Sequence, residues 1–370
     1  MTPRSLLVVL GVMLGLASGA RAANPCRAAC VASKVSCLQA AATAFAATKA
    51  SCPTAQPDRK TCIRAAKTVR AGARRTCRMT FRGCKHACGT TTTTLPGACG
   101  STGTGIEAIN FYRGLVGVPA APENATLSAD DAKHAEYMVL NGFIGHTEDP
   151  TKPGYTPEGA MAAMNSDVAV STAPNLPDTW AVDILMSGPF HSIGIIDPLL
   201  QETGFGIAHA TSGRFQSAAA IDVLSSRLTS LPAGLQYPIF LPAEGKTLPL
   251  TVYAGNEAPD PLTACPGYAA PNGFPLEAQL AATPMISSHT LMRGGTLLDH
   301  CLFDETSYVN PDASLQQLGR AVLGNGGRHA VVIIAKQQLA PGDYTASITD
   351  HGQTLTWHFT VTCSKAAPGF

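Results

Sequence analysis

Eight cysteines between Cys26 and Cys88 limit what the N-terminal part of this chain can become. Taken as Cys26 with Cys88, Cys30 with Cys84, Cys37 with Cys77 and Cys52 with Cys62, the four pairs share one midpoint, residue 57. Two antiparallel segments paired in register about a turn give that symmetry. The stretch Pro53-Thr54-Ala55-Gln56-Pro57-Asp58 supplies the turn, with two prolines to stop one helix and start the next. The Ala-rich flanks favour helix. At about 100° per residue the first-arm cysteines fall at about 0°, 40°, 20° and 80°, and the second-arm cysteines at about 0°, 60°, 40° and 80°. Each set lies on one helical face. Residues 23–88 therefore read as an α-hairpin laced by up to four disulfides. The C-x3-C spacing differs from the C-x2-C of zinc knuckles, which favours disulfides over a thiolate metal cluster.

Disulfides belong in an oxidising compartment, and the first residues agree. Residues 1–22 read as a secretory signal: Arg4 is the positive region, Leu6 to Leu16 the apolar core and Ala20-Arg21-Ala22 the cleavage site. That apolar run is too short to span a bilayer. The expected location is secreted, periplasmic or at the cell surface, with no transmembrane segment in the mature protein. At 370 residues the chain is long enough for two or three domains. Its formal charge of +1 hides a strong asymmetry. Residues 23–88 hold 13 Lys and Arg against one Asp, a net +12. From Gly89 onward there are 11 Lys and Arg against 24 Asp and Glu, a net −13. The basic module suits an anionic envelope surface, or docking onto the protein's own acidic part. Nucleic acid is a poor candidate as a partner, because the chain reads as exported and the module has almost no aromatics for stacking.

Residues 89–104 are Thr/Gly-rich linker. Ile106, Ile109, Phe111 with Tyr112, and Leu115 then form a helical stripe. Ser128 with Asp131 reads as a capping box opening a second helix to about Asn141, closed by Gly142. His134 falls off that helix's apolar stripe and is expected at an exposed or rim position. Pro177-Asp178 opens a helix through Met186, ended by Gly188-Pro189. Phe205 to Ala210 and Ala218 to Val223 read as strands. His146 and His191 each sit just past a helical pattern, where imidazoles can point into a shared cleft. Asn124-Ala125-Thr126 is a glycosylation sequon, discounted because the sequence style is bacterial.

Several of these residues, in their order and spacing, resemble the CAP superfamily: cysteine-rich secretory proteins, insect venom allergens, plant pathogenesis-related proteins and bacterial relatives. The N-x-x-R piece is Asn110 with Arg113. The next is Leu127 and Ala135, with Asp131 in place of a middle alanine. His146 follows, with Ile144 at the aromatic position and Phe143 beside it. Then come Ala181-Val182, Met186, Pro189 and His191. Gly204 lies 13 residues after His191, past Ile195-Ile196-Asp197-Pro198. The resemblance covers Gly105 to Asp222. It implies an α-β-α sandwich with a cavity carrying two histidines and, in full form, two glutamates. Here the first glutamate position falls at Ala160, with Glu158 displaced, and the second falls near Gly188. The implied metal is zinc, held by His146 and His191 with Glu158 or Asp149 as a third ligand. Half of the tetrad is missing, so no cofactor is required by this pattern.

From about Leu231 short strands alternate with Pro-rich turns: Leu248 to Tyr253, Leu276 to Leu280, Thr296 to Phe303, Ala330 to Ile334, Tyr344 to Ile348 and Thr354 to Val361. Leu339 to Tyr344 followed by Trp357-His358-Phe359-Thr360 resembles the closing strands of bacterial Ig-like domains. Cys265 and Cys301 would staple this part, leaving Cys99 and Cys363 as a terminal clasp. The expected layout is multidomain: a signal at 1–22, a disulfide-laced α-hairpin at 23–88, a linker at 89–104, an α+β CAP-like domain at 105–228 and an all-β Ig-like sandwich at 229–370.

There is no H-E-x-x-H, no G-x-S-x-G and no Gly-rich phosphate loop. His146-Thr147-Glu148 lacks the P-C-x-x-C of zinc deaminases. The expected function is a non-enzymatic exported binding protein. Its cleft around His146, His191 and Glu158 takes an apolar or envelope ligand. The alternatives are a metal-dependent or histidine-based hydrolase of envelope material and a purely structural surface protein.

Overall fold

A computed structural model describes residues 34, 38–39, 42–43, 45–46, 48–54, 58–89, 99–255, 257–324, 326 and 328–363. The chain divides into two compact units, Met1–Pro96 and Gly97–Phe370. The described residues mix α-helices with several antiparallel sheets. No described helix is long and apolar enough to cross a membrane.

In the first unit, helix α1 runs from Asp58 to Gly89. Cys52 is bonded to Cys62 in its first turns, and Arg70 stands over the Phe45 ring at 4.7 Å. The other three expected pairs, Cys26–Cys88, Cys30–Cys84 and Cys37–Cys77, lie outside the residues whose side chains are described.

The second unit opens with α2 (Gly105–Val116), where Thr104 and Glu107 make a reciprocal capping box and Gly117 ends the helix at φ 78°. Helix α3 (Ala125–Asn141) begins three residues before the expected box, because Asn124 is the cap: its side chain accepts from the N–H groups of Thr126 and Leu127. Ser128 instead bonds Glu123, and Asp131 turns inward to Ser166. After α4 (Pro157–Asn165) come β1 (Ser166–Ser171), α5 (Asp178–Met186) and α6 (Pro189–Ile195). Strands β2 (Phe205–His209) and β3 (Ser217–Asp222) complete an antiparallel sheet of order β1-β3-β2.

Every residue of β3 is buried, so both faces of this sheet are covered. Ala218 and Ala220 pack with Ala135, Met138 and Val139 of α3. Ala219 and Ile221 belong to the other core, with Ile109 and Tyr112 of α2 and Trp180 and Ala181 of α5. Small residues are needed where α3 lies against β2. A Cβ on Gly206 would stand 2.0 Å from the Ala132 nitrogen, and one on Gly204 2.6 Å from the Leu127 carbonyl carbon. The G-x-G is a close-packing device.

The rest is largely β. The strands are β4 (Ile239–Leu241), β5 (Lys246–Leu248), β6 (Val252–Tyr253), β7 (Asn272–Gly273) and β8 (Leu276–Gln279), then β9 (Ile286–Arg293), β10 (Thr296–Leu297) and β11 (His300–Phe303). Helix α7 (Ala313–Gly324) precedes β12 (Ala330–Ala335), β13 (Gly342–Asp350) and β14 (Gln353–Val361). They form a five-stranded sheet β10-β9-β13-β14-β5, a four-stranded sheet β11-β12-β8-β4 and the pair β6-β7. Phe240 of the four-stranded sheet stacks on Trp357 of the five-stranded one, 4.4 Å between centroids. One hydrophobic core includes α2, α5, β3 and both of these sheets. Disulfides join Cys265 to Cys301 and Cys99 to Cys363, the latter across 264 residues.

Asn110 and Arg113 act on the backbone. The Asn110 amide both donates to and accepts from the backbone of Ala121. Arg113 is fully buried and donates to the carbonyls of Pro119, Ile195, Asp197 and Leu200. It pins the segment after α6 against α2. Burial brings its guanidinium down to about 10, with Asp197 opposing the shift. Arg113→Leu leaves four carbonyls without a donor, at about 1–3 kcal/mol each if they stay dry. Urea unfolding of the full chain should show a loss of at least about 3 kcal/mol. A loss below about 1 kcal/mol would mean that water replaces the guanidinium.

Candidate ligand cleft

Helix α6 is short and begins with proline. Pro189 lacks an N–H, so it fits the first helical position and starts a helix where the sequence reading has an end. His191 consequently lies inside α6. The cap residue, Gly188, offers no side chain. The missing cap comes from a loop 66 residues away: Glu257 Oε1 accepts from the N–H groups of Phe190 at 2.8 Å and His191 at 3.1 Å, and from His191 Nδ1 at 2.7 Å. A Cβ on residue 188 would meet that carboxylate at 2.6 Å. Gly188 leaves the room that Glu257 fills.

Burial raises the Glu257 carboxyl above its ordinary value, while the hydrogen bond and charge of His191 and the two helix N–H groups oppose that rise. Burial alone would lower His191. The hydrogen bond and charge of Glu257, with the charge of Asp167, instead raise it to about 9. The imidazole is therefore cationic at neutral pH, with Nε2 available to a ligand. Asp167 is itself pushed up to about 7 by burial, against the opposing charge of His191.

An open cleft of about 320 Å³ lies against this corner. His191, Glu257 and Gly188 line one part. Ile144, Val168, Val170, Trp180, Ile184, Leu185 and Phe215 make most of the remaining wall apolar. Neighbouring carboxyls are kept inward. Ser192 donates to Gly188 O, and its hydroxyl is hydrogen-bonded to Glu277, whose carboxyl burial raises well above its usual range. Ser192 is fully buried, so it is no nucleophile for the cleft.

No protein-family model matches this chain, and no curated protein matches it.

The sequence-selected residues separate here. His191 lines the cleft. His146 sits in the loop between α3 and α4, its Nδ1 3.1 Å from the Ala163 carbonyl. The residue is exposed overall, yet enough chain crowds the ring to lower its pKa, and the charges of His191 and His134 lower it further. His146 is thus near His191 electrostatically, with its ring turned to backbone. Glu158 does not line the cleft; it is 54% exposed and 3.5 Å from Lys133 Nζ. His134 is not at a rim: it is fully buried, with Nδ1 2.9 Å from Glu148 and Nε2 2.9 Å from Gly145 O. That pairing claims Glu148 and braces the loop carrying His146. The donor set does not fit a zinc centre of three protein ligands. Among the described residues no group of three or more His, Cys, Asp or Glu is placed to hold a metal. Glu257 was missed because nothing in Gly255-Asn256-Glu257-Ala258-Pro259 marks a partner 66 residues away; the side-chain-free Gly188 before a helical Pro was the available signal.

A histidine raised from 6.5 to about 9 favours the folded state fully below pH 6.5 and loses that contribution as pH rises through about 9. The difference corresponds to about 3 kcal/mol. Chemical denaturation between pH 6 and pH 9.5 should show stability falling by that order in the native chain. The fall should be much smaller in Glu257→Gln. Parallel curves for the two would remove Glu257 as the source.

Proposed function

We propose that this chain is an exported CAP-like binding protein whose cleft holds an elongated apolar molecule by a hydrogen-bond-accepting or anionic head. The observation that carries the reading is the pairing of an apolar wall with a single cationic imidazole held by Glu257. A largely apolar pocket with a few placed polar groups fixes the orientation of a ligand. The layout proposed with it is a CAP-like α-β-α layer at 105–228 followed by an Ig-like β-rich part at 229–370, preceded by the disulfide-laced hairpin. Helices on both faces of β1-β3-β2 and the aromatic stack between two sheets support that layout. The +12 module attaches the protein to an anionic envelope surface.

A histidine-based hydrolase is the second reading. One observation favours it: the two histidines are displaced in opposite directions, His146 down and His191 up, a split that suits a base and an acid.

Trp180 lines the cleft while Trp357 is stacked in the core, so fluorescence reports binding at one site. Dodecanoate should change Trp180 emission with a dissociation constant on the order of 10 µM. His191→Gln should weaken it about tenfold, the value of a charge-assisted hydrogen bond, and leave dodecanol binding unchanged. No response to dodecanoate would contradict the binding reading; turnover of an ester lost in both His146→Gln and His191→Gln would favour the hydrolase. For the module, retention on anionic vesicles should fall steeply with salt and vanish when residues 23–96 are removed. Equal retention of both proteins at low salt would contradict surface attachment.

A further inference from the structure

Two other histidines meet far from the cleft in sequence and share no lining residue with it. His289 lies on β9 and His300 on β11, strands of different sheets. His289 Nδ1 is 2.9 Å from His300 Nε2, with the rings at 81°. His289 is exposed and His300 half-buried. His300 Nδ1 is 2.7 Å from the Leu298 carbonyl. A carbonyl only accepts, so Nδ1 carries the proton and Nε2 presents a lone pair.

We propose that His289 Nδ1 and His300 Nε2 chelate a divalent copper ion as two adjacent corners of a square-planar site. Two nitrogens about 2.0–2.1 Å from one ion stand about 2.9 Å apart at a right angle, but about 3.3 Å apart at a tetrahedral angle. The observed 2.9 Å is the length of an Nδ1–H···Nε2 hydrogen bond, which already holds the two nitrogens at the first of these separations. Imidazole pairs and tetragonal geometry select copper, which also leads the affinity order of first-row divalent ions. The Leu298 carbonyl is the partner that fixes the tautomer of His300, as such partners do for metal-ligating histidines. His289 must move its proton from Nδ1 to its other nitrogen, with no net proton lost from the neutral pair. Among the described residues no third His, Cys, Asp or Glu completes a protein cage; water takes the other two corners.

The test titrates copper(II) alone into the full chain at pH 7.5, followed by calorimetry and electron paramagnetic resonance. One equivalent should bind in the micromolar range, with a tetragonal spectrum showing hyperfine coupling to two nitrogens. His289→Gln and His300→Gln should each weaken binding at least tenfold, and zinc should bind the native chain at least tenfold more weakly. Unchanged copper uptake in the double variant would overturn the site, and zinc binding as tightly as copper would overturn its square-planar geometry. If a variant unfolds, the native chain still decides. Substoichiometric copper should broaden amide signals around residues 289 and 300 first; broadening elsewhere first would overturn the proposal.

Discussion

The Glu257 carboxylate is the interaction on which the cleft depends. One oxygen caps a helix that has no cap of its own and holds an imidazole in its charged form. It also fixes a loop of the β-rich half to α6. The carboxylate takes the space that a Cβ on residue 188 would occupy. Cap, charge and cleft wall are thus one arrangement. Removing the carboxylate would leave two helix N–H groups and the His191 imidazole without their acceptor, and each loss reinforces the others.

A second constraint sits behind it. Arg113 gathers carbonyls from before α3 and after α6, and Asp197 receives both Arg227 at 2.7 Å and Arg328 at 2.8 Å. These buried cations position the end of α6 from below while Glu257 holds its start. The shared core running from α2 and α5 into both larger sheets continues the same coupling in apolar contacts. Burial at this junction also raises Asp167 and Glu277, so the acids around His191 are less charged than their number suggests.

Local rules read well where local forces decide. The stripe from Ile106 becomes α2, Pro177-Asp178 opens α5, and the strand patterns near residues 205, 276, 330 and 354 each appear within a few positions. Rules failed where a distant side chain decides. Ser128 and Asp131 have the spacing of a capping box, but Ser166 captures Asp131 and Asn124 takes the cap. His134 breaks the apolar stripe of α3, yet Glu148 makes its burial favourable. Strand β9, ISSHTLMR, was not legible as a strand because serines and histidine interrupt its alternation; its pairing with β13 supplies what propensity does not. For the cleft, His191 was legible and its partner was not. Glu158, the acid nearest in sequence to the resemblance, faces Lys133, and the acid that matters comes from a loop outside the resembling region.

The most direct test of this arrangement is the protonation of His191 itself. In nitrogen-15 spectra of histidine-labelled protein at pH 8, above the ordinary imidazole value of 6.5 and below about 9, both ring nitrogens of His191 should carry protons, with Nδ1–H shifted downfield by its bond to Glu257. A neutral His191 ring at pH 8, with one unprotonated nitrogen, would contradict the account.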